Sequence, residues 1–325
     1  MIRAATRDGL LLPVIDVTDP RFAVPDDPDG LRRLFAAADA EGQRNRRLPK
    51  FVMRWLIRRA AKRSLMLRAL FDEDATFLSG LSTYLMKLGA DNLPPPYDGA
   101  MDKRVAAAPH LTLLRLRTQQ VARLLAEGLA AELTNRPSAP LSFINIAGGP
   151  AIDSMNALIL LRRRDGDLLR RPVAIHVLDQ DEAGPAFGRN ALAALMQDGG
   201  PLAGLDVAFH HHPYDWNEPV PLERIVGGLN VSAIAAASSE GGLFEYGSDA
   251  AVIANLRALH AGEVAMVAGS VTSDDESRRR MMTATRFKLV PRGLGGFAPL
   301  AETGGWRIAR AETARLSDQV LLVPA

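Results

Sequence analysis

The second half of the chain alternates between short apolar runs and amphipathic segments, and this alternation constrains the fold more than any other feature of the sequence. The apolar runs occupy residues 141–147, 172–179, 205–212, 229–238 and 263–272. Segments with the apolar spacing of a helix, such as 152–164 and 183–197, lie between them. Strands that alternate with helices of this length form crossover units, which build a parallel sheet covered by helices on both faces. The sequence therefore predicts a doubly wound α/β fold.

The two ends of the chain follow different patterns. Residues 306–325 contain two strand-like runs without room for a crossover helix, which predicts a C-terminal antiparallel hairpin and a mostly parallel seven-stranded sheet. Before residue 140 the pattern is helical, with starts and stops marked by Asp, Gly and Pro. The predicted helices are 26–42, 48–71, 74–93 and 111–133. We predict an N-terminal helical lid, which is also the substrate domain, over residues 1–110 and a ligand-binding α/β domain over 111–325.

The composition excludes several classes of chemistry and partner. The 325 residues include no cysteine, which excludes disulfides, cysteine-ligated zinc and thiol nucleophiles. The formal net charge of +2 gives no strong field for nucleic acid. No apolar run approaches the roughly 18–20 residues of a spanning helix, and the start lacks the apolar stretch of a signal peptide. We expect a cytoplasmic protein with no nucleic-acid partner and no stable membrane insertion, and a homodimer stays an open alternative.

The first predicted strand ends at a cluster of small residues, and a helical segment begins soon after it. Ligands of doubly wound sheets bind beyond the carboxyl ends of the strands, where small residues let the backbone approach them. A phosphate-binding P-loop needs Gly-Lys-Ser/Thr where this chain has Gly149, Pro150 and Ala151. A dinucleotide fingerprint needs glycine at positions that include Asp153, whose charge would also repel a pyrophosphate. Both of these ligand classes are therefore disfavoured at this turn.

The stretch NIAGGPAIDS, residues 145–154, resembles the first motif of class I S-adenosylmethionine-dependent methyltransferases. Asn145 takes the place of the motif's acidic residue, and Ala147, Gly149 and Ala151 take the three glycine places. The resemblance implies a Rossmann-like domain that binds S-adenosylmethionine, with S-adenosylhomocysteine as the product. The residues that it implies for the cofactor at this turn are Asn145, Ala147, Gly148, Gly149 and Pro150. A close-packed turn without a ligand stays the alternative.

Two later strand ends extend the resemblance. Asp179 and Gln180 follow the second strand, where the family has an acidic residue that accepts hydrogen bonds from the ribose hydroxyls. Asp215 follows the third strand, where the family often carries an Asp to the adenine amino group, and Tyr214 or Trp216 would lie against the ring. The alternative for Asp215 is that it only starts a turn.

The segment 237–249 follows the fourth strand and is expected to face the substrate. On the resemblance, Ser238 would lie near the sulfonium end of the cofactor. Glu240 and Tyr246 are the candidate catalytic residues, because each could bind the acceptor or take up its proton. Arg117, on the helix before the first strand, is a candidate for the cofactor carboxylate. The alternatives are that Tyr246 merely starts the next helix and that Arg117 faces solvent.

Two further features of the sequence permit other functions. Residues 210–212 are three consecutive histidines, but neighbours on a strand point to opposite faces, so we expect no metal site there. Residues 43–71 include ten Lys or Arg and no acid. This segment fits a lid helix, and the alternatives are a site for an anionic substrate, a contact with an acidic membrane surface and, with few aromatic residues for stacking, nucleic acid.

These observations predict an S-adenosylmethionine-dependent methyltransferase with a small-molecule acceptor, and oxygen is the expected acceptor atom. The donor is already activated, so the protein mainly aligns the reactants and excludes water. Two alternatives stay open: a protein of the same fold that binds S-adenosylmethionine or S-adenosylhomocysteine without catalysis, and an NAD-dependent oxidoreductase.

Overall fold

The computed structural model describes residues 1–46, 50–70, 79–275, 278–279 and 288–325. Its centre is a seven-stranded sheet with the strand order β5-β4-β3-β6-β7-β9-β8. The strands of this sheet are β3 (Leu141–Ile146), β4 (Val173–Leu178), β5 (Val207–His212), β6 (Ile234–Ser239), β7 (Met266–Thr272), β8 (Trp306–Thr313) and β9 (Ser317–Pro324).

The strand pairing confirms the predicted doubly wound sheet and its terminal hairpin. Strands β3 to β7 pair in parallel, whereas β9 is antiparallel to both β7 and β8. The chain leaves β3 in one direction to build β4 and β5, then returns to the other side of β3 with β6. The strand order therefore reverses between β3 and β6, and such a reversal opens a crevice at the carboxyl ends of the two strands.

Helices cover both faces of the sheet, and further helices precede its first strand in the sequence. The helices of the described residues are α1 (Pro28–Arg46), α2 (Lys50–Ala61), α3 (Leu65–Leu70), α4 (Gly80–Lys87), α5 (Ala100–Ala106), α6 (Pro109–Asn135), α7 (Ile152–Arg164), α8 (Ala183–Leu195), α9 (Val220–Gly227), α10 (Leu243–Tyr246), α11 (Asp249–Ala261) and α12 (Gly293–Thr303). None of them is long and apolar enough to cross a lipid bilayer.

Burial along the strands explains why the apolar pattern changes from one strand to the next. Every residue of β3 is buried, because helices pack on both faces of this central strand, so its sequence is continuously apolar except at Ser142 and Asn145. On the edge strand β5, half-buried and exposed residues alternate instead. Phe143 belongs to the core under α6 and α7, whereas Ile144 belongs to the core under α9, α11 and α12.

The N-terminal region is not entirely helical, which corrects the sequence prediction. Residues 3–13 form a hairpin of β1 (Arg3–Ala5) and β2 (Leu11–Pro13), whose turn includes Gly9 at a left-handed φ of 86°. The first of these strands packs against α8. The sequence pattern missed the hairpin because strands of three residues are too short to show a period.

The helix predicted over 48–71 is broken in the structure, and its end at residue 71 lies outside the described residues. The break lies between α2 and α3, where the Asp102 carboxylate of α5 accepts hydrogen bonds from the Ser64 hydroxyl (2.6 Å) and the Met66 N–H (2.9 Å). These bonds cap the start of α3 from a distant part of the chain. Of the helix predicted over 74–93, residues 74–78 lie outside the described residues, and α4 ends at Lys87, earlier than predicted. The Ser79 hydroxyl accepts from the Ser82 N–H as the cap of α4.

Candidate functional site

A cavity of about 460 Å³ opens at the reversal of strand order. One face of α4 forms a wall, and the loops after β3, β4, β5 and β6 form the rest. The lining residues are Ser79, Gly80, Thr83, Tyr84, Lys87, Ala147, Gly148, Pro150, Ile152, Asp179, Gln180, Asp181, Tyr214, Asp215, Trp216, Asn217, Glu240, Gly241, Gly242 and Tyr246. Of the residues predicted for the site, only Asn145, Gly149, Ser238 and Arg117 do not line it.

The turn after β3 has left-handed backbone at the three positions aligned with motif glycines. The φ angles are 55° at Ala147, 56° at Gly149 and 55° at Ala151. Alanine in this region is strained, because its Cβ approaches the following carbonyl oxygen. Gly149 has a second constraint, since a Cβ there would lie 2.8 Å from Gly80 Cα on α4. The turn is therefore left-handed at all three positions, although two of them hold alanine.

Asp179 connects the end of β4 to this turn. One carboxylate oxygen accepts the Gly149 N–H at 3.0 Å, and the other accepts the Asp181 N–H at 2.9 Å. Burial raises the pKa of Asp179, and these two donors oppose the rise. A carboxylate oxygen can accept more than one hydrogen bond, so both oxygens keep acceptor capacity beside the cavity.

The loop after β5 is fixed to α11 by Asn255. The Tyr214 hydroxyl donates to Asn255 Oδ1 at 2.5 Å, and Asn255 Nδ2 donates to the Trp216 carbonyl at 2.7 Å. Asp215 accepts hydrogen bonds from the backbone N–H and the side-chain amide of Asn217, at 2.9 and 2.8 Å. Asp215 thus starts a turn and lines the cavity at the same time, so the two roles weighed from the sequence are compatible.

A buried cluster of ion pairs lies at the inner end of the cavity. Glu240 bonds both to the Lys87 ammonium and to Arg117 Nε, and Arg117 Nη1 donates to Glu245 at 3.0 Å. All four residues are buried, at 5% exposure or less. Burial alone would raise the pKa of Glu240, but Arg117 and Lys87 outweigh it and hold that pKa below its usual range. Glu240 is therefore a charged residue with two cationic partners.

Arg117 does not face solvent, contrary to the alternative considered from the sequence. Its guanidinium packs against Gly241, where a Cβ would lie 2.4 Å from Nη2. Tyr246, one residue beyond Glu245, turns instead to the cavity. Burial and the Glu245 charge raise the pKa of Tyr246, so its hydroxyl keeps its proton at neutral pH.

Asn145 and Ser238 lie beneath the turn rather than in the cavity. The Asn145 Nδ2 atom lies within hydrogen-bond distance of Asp153 Oδ1 (2.8 Å), Ser238 Oγ (3.0 Å) and Ser154 Oγ (3.2 Å), and its two hydrogens are shared among these three acceptors. Burial and the nearby Glu240 raise the pKa of Asp153. This network joins β3, β6 and the start of α7, so it supports the turn from behind.

Sequence reasoning pointed to Tyr84 on the α4 wall but missed Gly80, Thr83 and Lys87. Gly80, Thr83, Tyr84 and Lys87 recur at helical spacing, which puts them on one face. A lone lysine in the apolar stretch STYLMKLG was the available signal. The Tyr84 hydroxyl donates to the Pro13 carbonyl at 2.6 Å and accepts from the Ile15 N–H at 2.9 Å, so it is engaged within the fold.

The histidines lie on two faces of the sheet, as the strand geometry predicts. His210 and His212 share a face with His176 of β4, and the His176 Nδ1 and His212 Nε2 atoms are 3.2 Å apart. His211 is on the opposite face, with Nε2 2.9 Å from the Asp179 carbonyl. The described residues contain no group of three His, Cys, Asp or Glu side chains arranged for a metal ion.

Comparison with known proteins gives matches to solved structures alone. No protein-family profile and no curated protein matches the chain. A possible exported protein from Bordetella parapertussis is 15% identical, with 92% of this chain and 100% of that chain covered and a TM-score of 0.55. The mitomycin 7-O-methyltransferase MmcR is 15% identical, with 67% and 57% covered and a TM-score of 0.39.

An O-methyltransferase family protein from Burkholderia thailandensis is 16% identical, with 70% of this chain and 60% of that chain covered and a TM-score of 0.41. The chain thus spans about three-fifths of the length of these two methyltransferases. The strand order, with five parallel strands and an antiparallel strand inserted before the last, carries the fold assignment. The chain has the Rossmann-like fold of class I S-adenosylmethionine-dependent methyltransferases.

Proposed function

We propose that this protein is a methyltransferase that uses S-adenosylmethionine to methylate a small molecule, with an oxygen atom as the acceptor. The observation that carries the proposal is the hydrogen bond between Asp179 and the turn after β3. They lie 30 residues apart in the chain, yet Asp179 accepts the Gly149 N–H beside the cavity. An acid at this place suits a vicinal diol, which needs two acceptor positions close together.

The residues of the cavity fit the proposed cofactor at both of its ends. Asp179 and Gln180 would hold the ribose, and Tyr214, Asp215 and Trp216 would surround the adenine. Ala147, Gly148 and Pro150 would line the amino-acid end, and Gly149, whose N–H is bonded to Asp179, would hold the turn in place. Residue 149 of this turn must be glycine, because a side chain there would strike α4. When bound, the cofactor supplies a methyl group on a positively charged sulfur, which is already activated for transfer.

The chain's own residues would then align the acceptor and exclude water. Tyr246 faces the cavity as a protonated phenol, so we assign it to hydrogen bonding with the acceptor rather than to proton removal. Glu240 is engaged with Lys87 and Arg117, so its proposed role is to hold the cationic groups in place. An acceptor with an acidic hydroxyl, such as a phenol, needs little help from a base.

Arg117, Asn145 and Ser238 are proposed to act through other residues. Arg117 holds Glu240, and the Asn145 amide ties Ser238 to the start of α7. Each would therefore support the cofactor site without touching the cofactor. We also retain as predictions the domain boundary after residue 110, a cytoplasmic location, the absence of a nucleic-acid partner and the alternative of a homodimer.

A second candidate function is binding of S-adenosylmethionine or its demethylated product without catalysis. The observation that favours it is the presence of Ala147 and Ala151 at left-handed positions aligned with motif glycines. The Ala147 methyl group is part of the cavity lining, so it occupies space that a glycine would leave free. The third candidate, an NAD-dependent oxidoreductase, has less support because Asp153 stands where its fingerprint needs glycine.

Titration calorimetry of the purified protein with S-adenosylmethionine, S-adenosylhomocysteine and NAD separates these functions. We expect micromolar binding of the first two and no heat of binding with NAD. Transfer from radiolabelled cofactor to a panel of phenols then distinguishes an enzyme from a binding protein. Binding of NAD alone would contradict the proposed cofactor, and tight S-adenosylmethionine binding without transfer to any acceptor would favour the second candidate.

A further inference from the structure

Helix α2 exposes a large aromatic and a large aliphatic side chain next to each other. Trp55 is 58% exposed and Leu56 is 40% exposed. The other large apolar side chains exposed among the described residues are Met1, Leu11, Val220 and Val231. Among these six exposed apolar residues, Trp55 is the one with an aromatic side chain. Exposed large apolar side chains that adjoin each other mark an interaction surface more often than isolated ones do.

The position of α2 leaves this pair unpartnered within the described residues. The helix packs chiefly against the short helix α3, and none of its described side chains belongs to the buried core. Apolar side chains that stay exposed contribute little burial to folding. Trp55 and Leu56 therefore need another explanation than packing.

The charged side chains that the structure describes just after the pair are basic. The Arg59 guanidinium lies 5.6 Å from the centre of the Trp55 ring, and Lys62 and Arg63 follow in exposed positions. Trp55 and Arg59 are four residues apart, so they share one side of the helix, and Lys62 and Arg63 lie in the turn that follows it. The ten basic residues of 43–71, without an acid, contrast with a net charge of +2 for the whole chain.

This combination fits the surface of a negatively charged lipid bilayer. An interfacial helix combines tryptophan and leucine, which enter the headgroup region, with Lys and Arg that meet anionic headgroups. A nucleic acid would use the cations but leaves Leu56 without a role. A second copy of the chain would bring the same positive surface against this one. We propose that α2 is a peripheral docking surface for an anionic membrane, with Trp55 and Leu56 at headgroup depth.

Sedimentation with vesicles tests this proposal on the full-length protein. Vesicles of equal parts phosphatidylcholine and phosphatidylglycerol should bind the protein, and vesicles of phosphatidylcholine alone should not. A double variant, Trp55→Ala with Leu56→Ala, should bind at least about tenfold more weakly. Arg59→Glu should weaken binding more than about fivefold, since one basic residue near such a surface contributes about that factor. Leu11→Ala, which changes an exposed leucine elsewhere, should bind like the wild type.

Brominated lipids give a second readout, because they quench a tryptophan that enters the headgroup region. Wild-type fluorescence should be quenched on anionic vesicles, and the quenching should be lost in Trp55→Phe, since the other two tryptophans lie elsewhere, Trp216 in the cavity lining and Trp306 in the core. Equal binding to both kinds of vesicle, or unchanged binding of the double variant, would overturn the proposal. So would tighter binding to duplex DNA than to vesicles, or self-association that the double variant abolishes.

Discussion

The ammonium of Lys87 and the carboxylate of Glu240 form a buried ion pair between α4 and the end of β6. It joins the helical N-terminal region to the sheet at the inner end of the cavity. Glu240 also accepts from Arg117, which has Glu245 as a second carboxylate partner. Burial lowers the pKa of Lys87, and Glu240 opposes that change. The position of α4, which forms a wall of the cavity, thus depends on the buried ion pairs of Glu240.

Loss of Glu240 should cost more stability than loss of Lys87. Glu240→Gln leaves Lys87 and Arg117 without a shared anion, and breaking a buried pair in this way costs about 3–5 kcal/mol. Lys87→Met leaves Glu240 bound to Arg117 and should cost less, about 1–2 kcal/mol. Urea unfolding at pH 7 measures both free energies. Equal losses, or a greater loss for Lys87→Met, would show that Glu240 does not serve both cations.

Asp179→Ala should weaken S-adenosylmethionine binding by more than about 1.5 kcal/mol, because it leaves the ribose hydroxyls without an acceptor. Asp206→Ala is the matched control, since it makes the same change at an exposed residue before β5, at the opposite end of the strands. Calorimetry should give an unchanged affinity for the control. Equal affinities for both variants would place the cofactor away from Asp179.

Tyr246→Phe should reduce turnover more than cofactor affinity, since the phenol is assigned to the acceptor. We expect turnover to fall about tenfold, which corresponds to about 1.4 kcal/mol, the size of one hydrogen bond. The affinity for S-adenosylmethionine should change less than twofold. Single-turnover assays and calorimetry on the same preparation measure the two quantities. If they fall together, Tyr246 contacts the cofactor instead.

Asp318→Asn should stabilise the protein at pH 7.5 and have little effect at pH 4. Burial raises the pKa of Asp318 to about 6, and its Oδ1 atom has no hydrogen-bond partner among the described residues. A raised carboxyl pKa means that the folded state disfavours the charged form. The penalty is absent below the unfolded pKa of 3.8 and complete above about 6.

After discounting for partial solvent access, the expected gain of Asp318→Asn at pH 7.5 is about 1 kcal/mol. Thermal unfolding of wild type and variant from pH 4 to pH 8 measures it. Asp206→Asn, the same change at an exposed carboxyl, is the matched control. A gain that stays constant from pH 4 to pH 8 would mean that the effect does not come from the titration of Asp318.

The sequence predicted the sheet well, because the spacing of apolar residues that marks a strand or a helix can be recognised within each segment alone. The continuously apolar β3 and the two adjacent runs of β8 and β9 identify a parallel centre and an antiparallel edge. The hairpin of β1 and β2 and the break between α2 and α3 escaped prediction. The break depends on Asp102, whose carboxylate arrives from α5, 36 residues after Met66. A pattern read along one segment cannot include such a partner.

At the site, the sequence predicted the loops at the ends of the strands and missed Lys87 on helix α4. Asp179 and Tyr246 follow strand ends, and that rule places them in the crevice. Lys87 follows no strand, so only the packing of α4 puts it in the cavity. Arg117 was given a place on the cofactor, yet it lies behind Glu240. Which of two neighbouring polar residues faces a cavity depends on side-chain packing that a single sequence does not encode.

The close approach of Gly80 to Gly149 has a consequence for the history and engineering of this chain. Any side chain at either position would strike the backbone of the other, so both positions are restricted to glycine. A chimera that joined this N-terminal region to the α/β domain of another protein would have a steric clash at these two positions unless both glycines were retained. Libraries intended to change ligand preference should therefore leave these two positions fixed and diversify Thr83 instead.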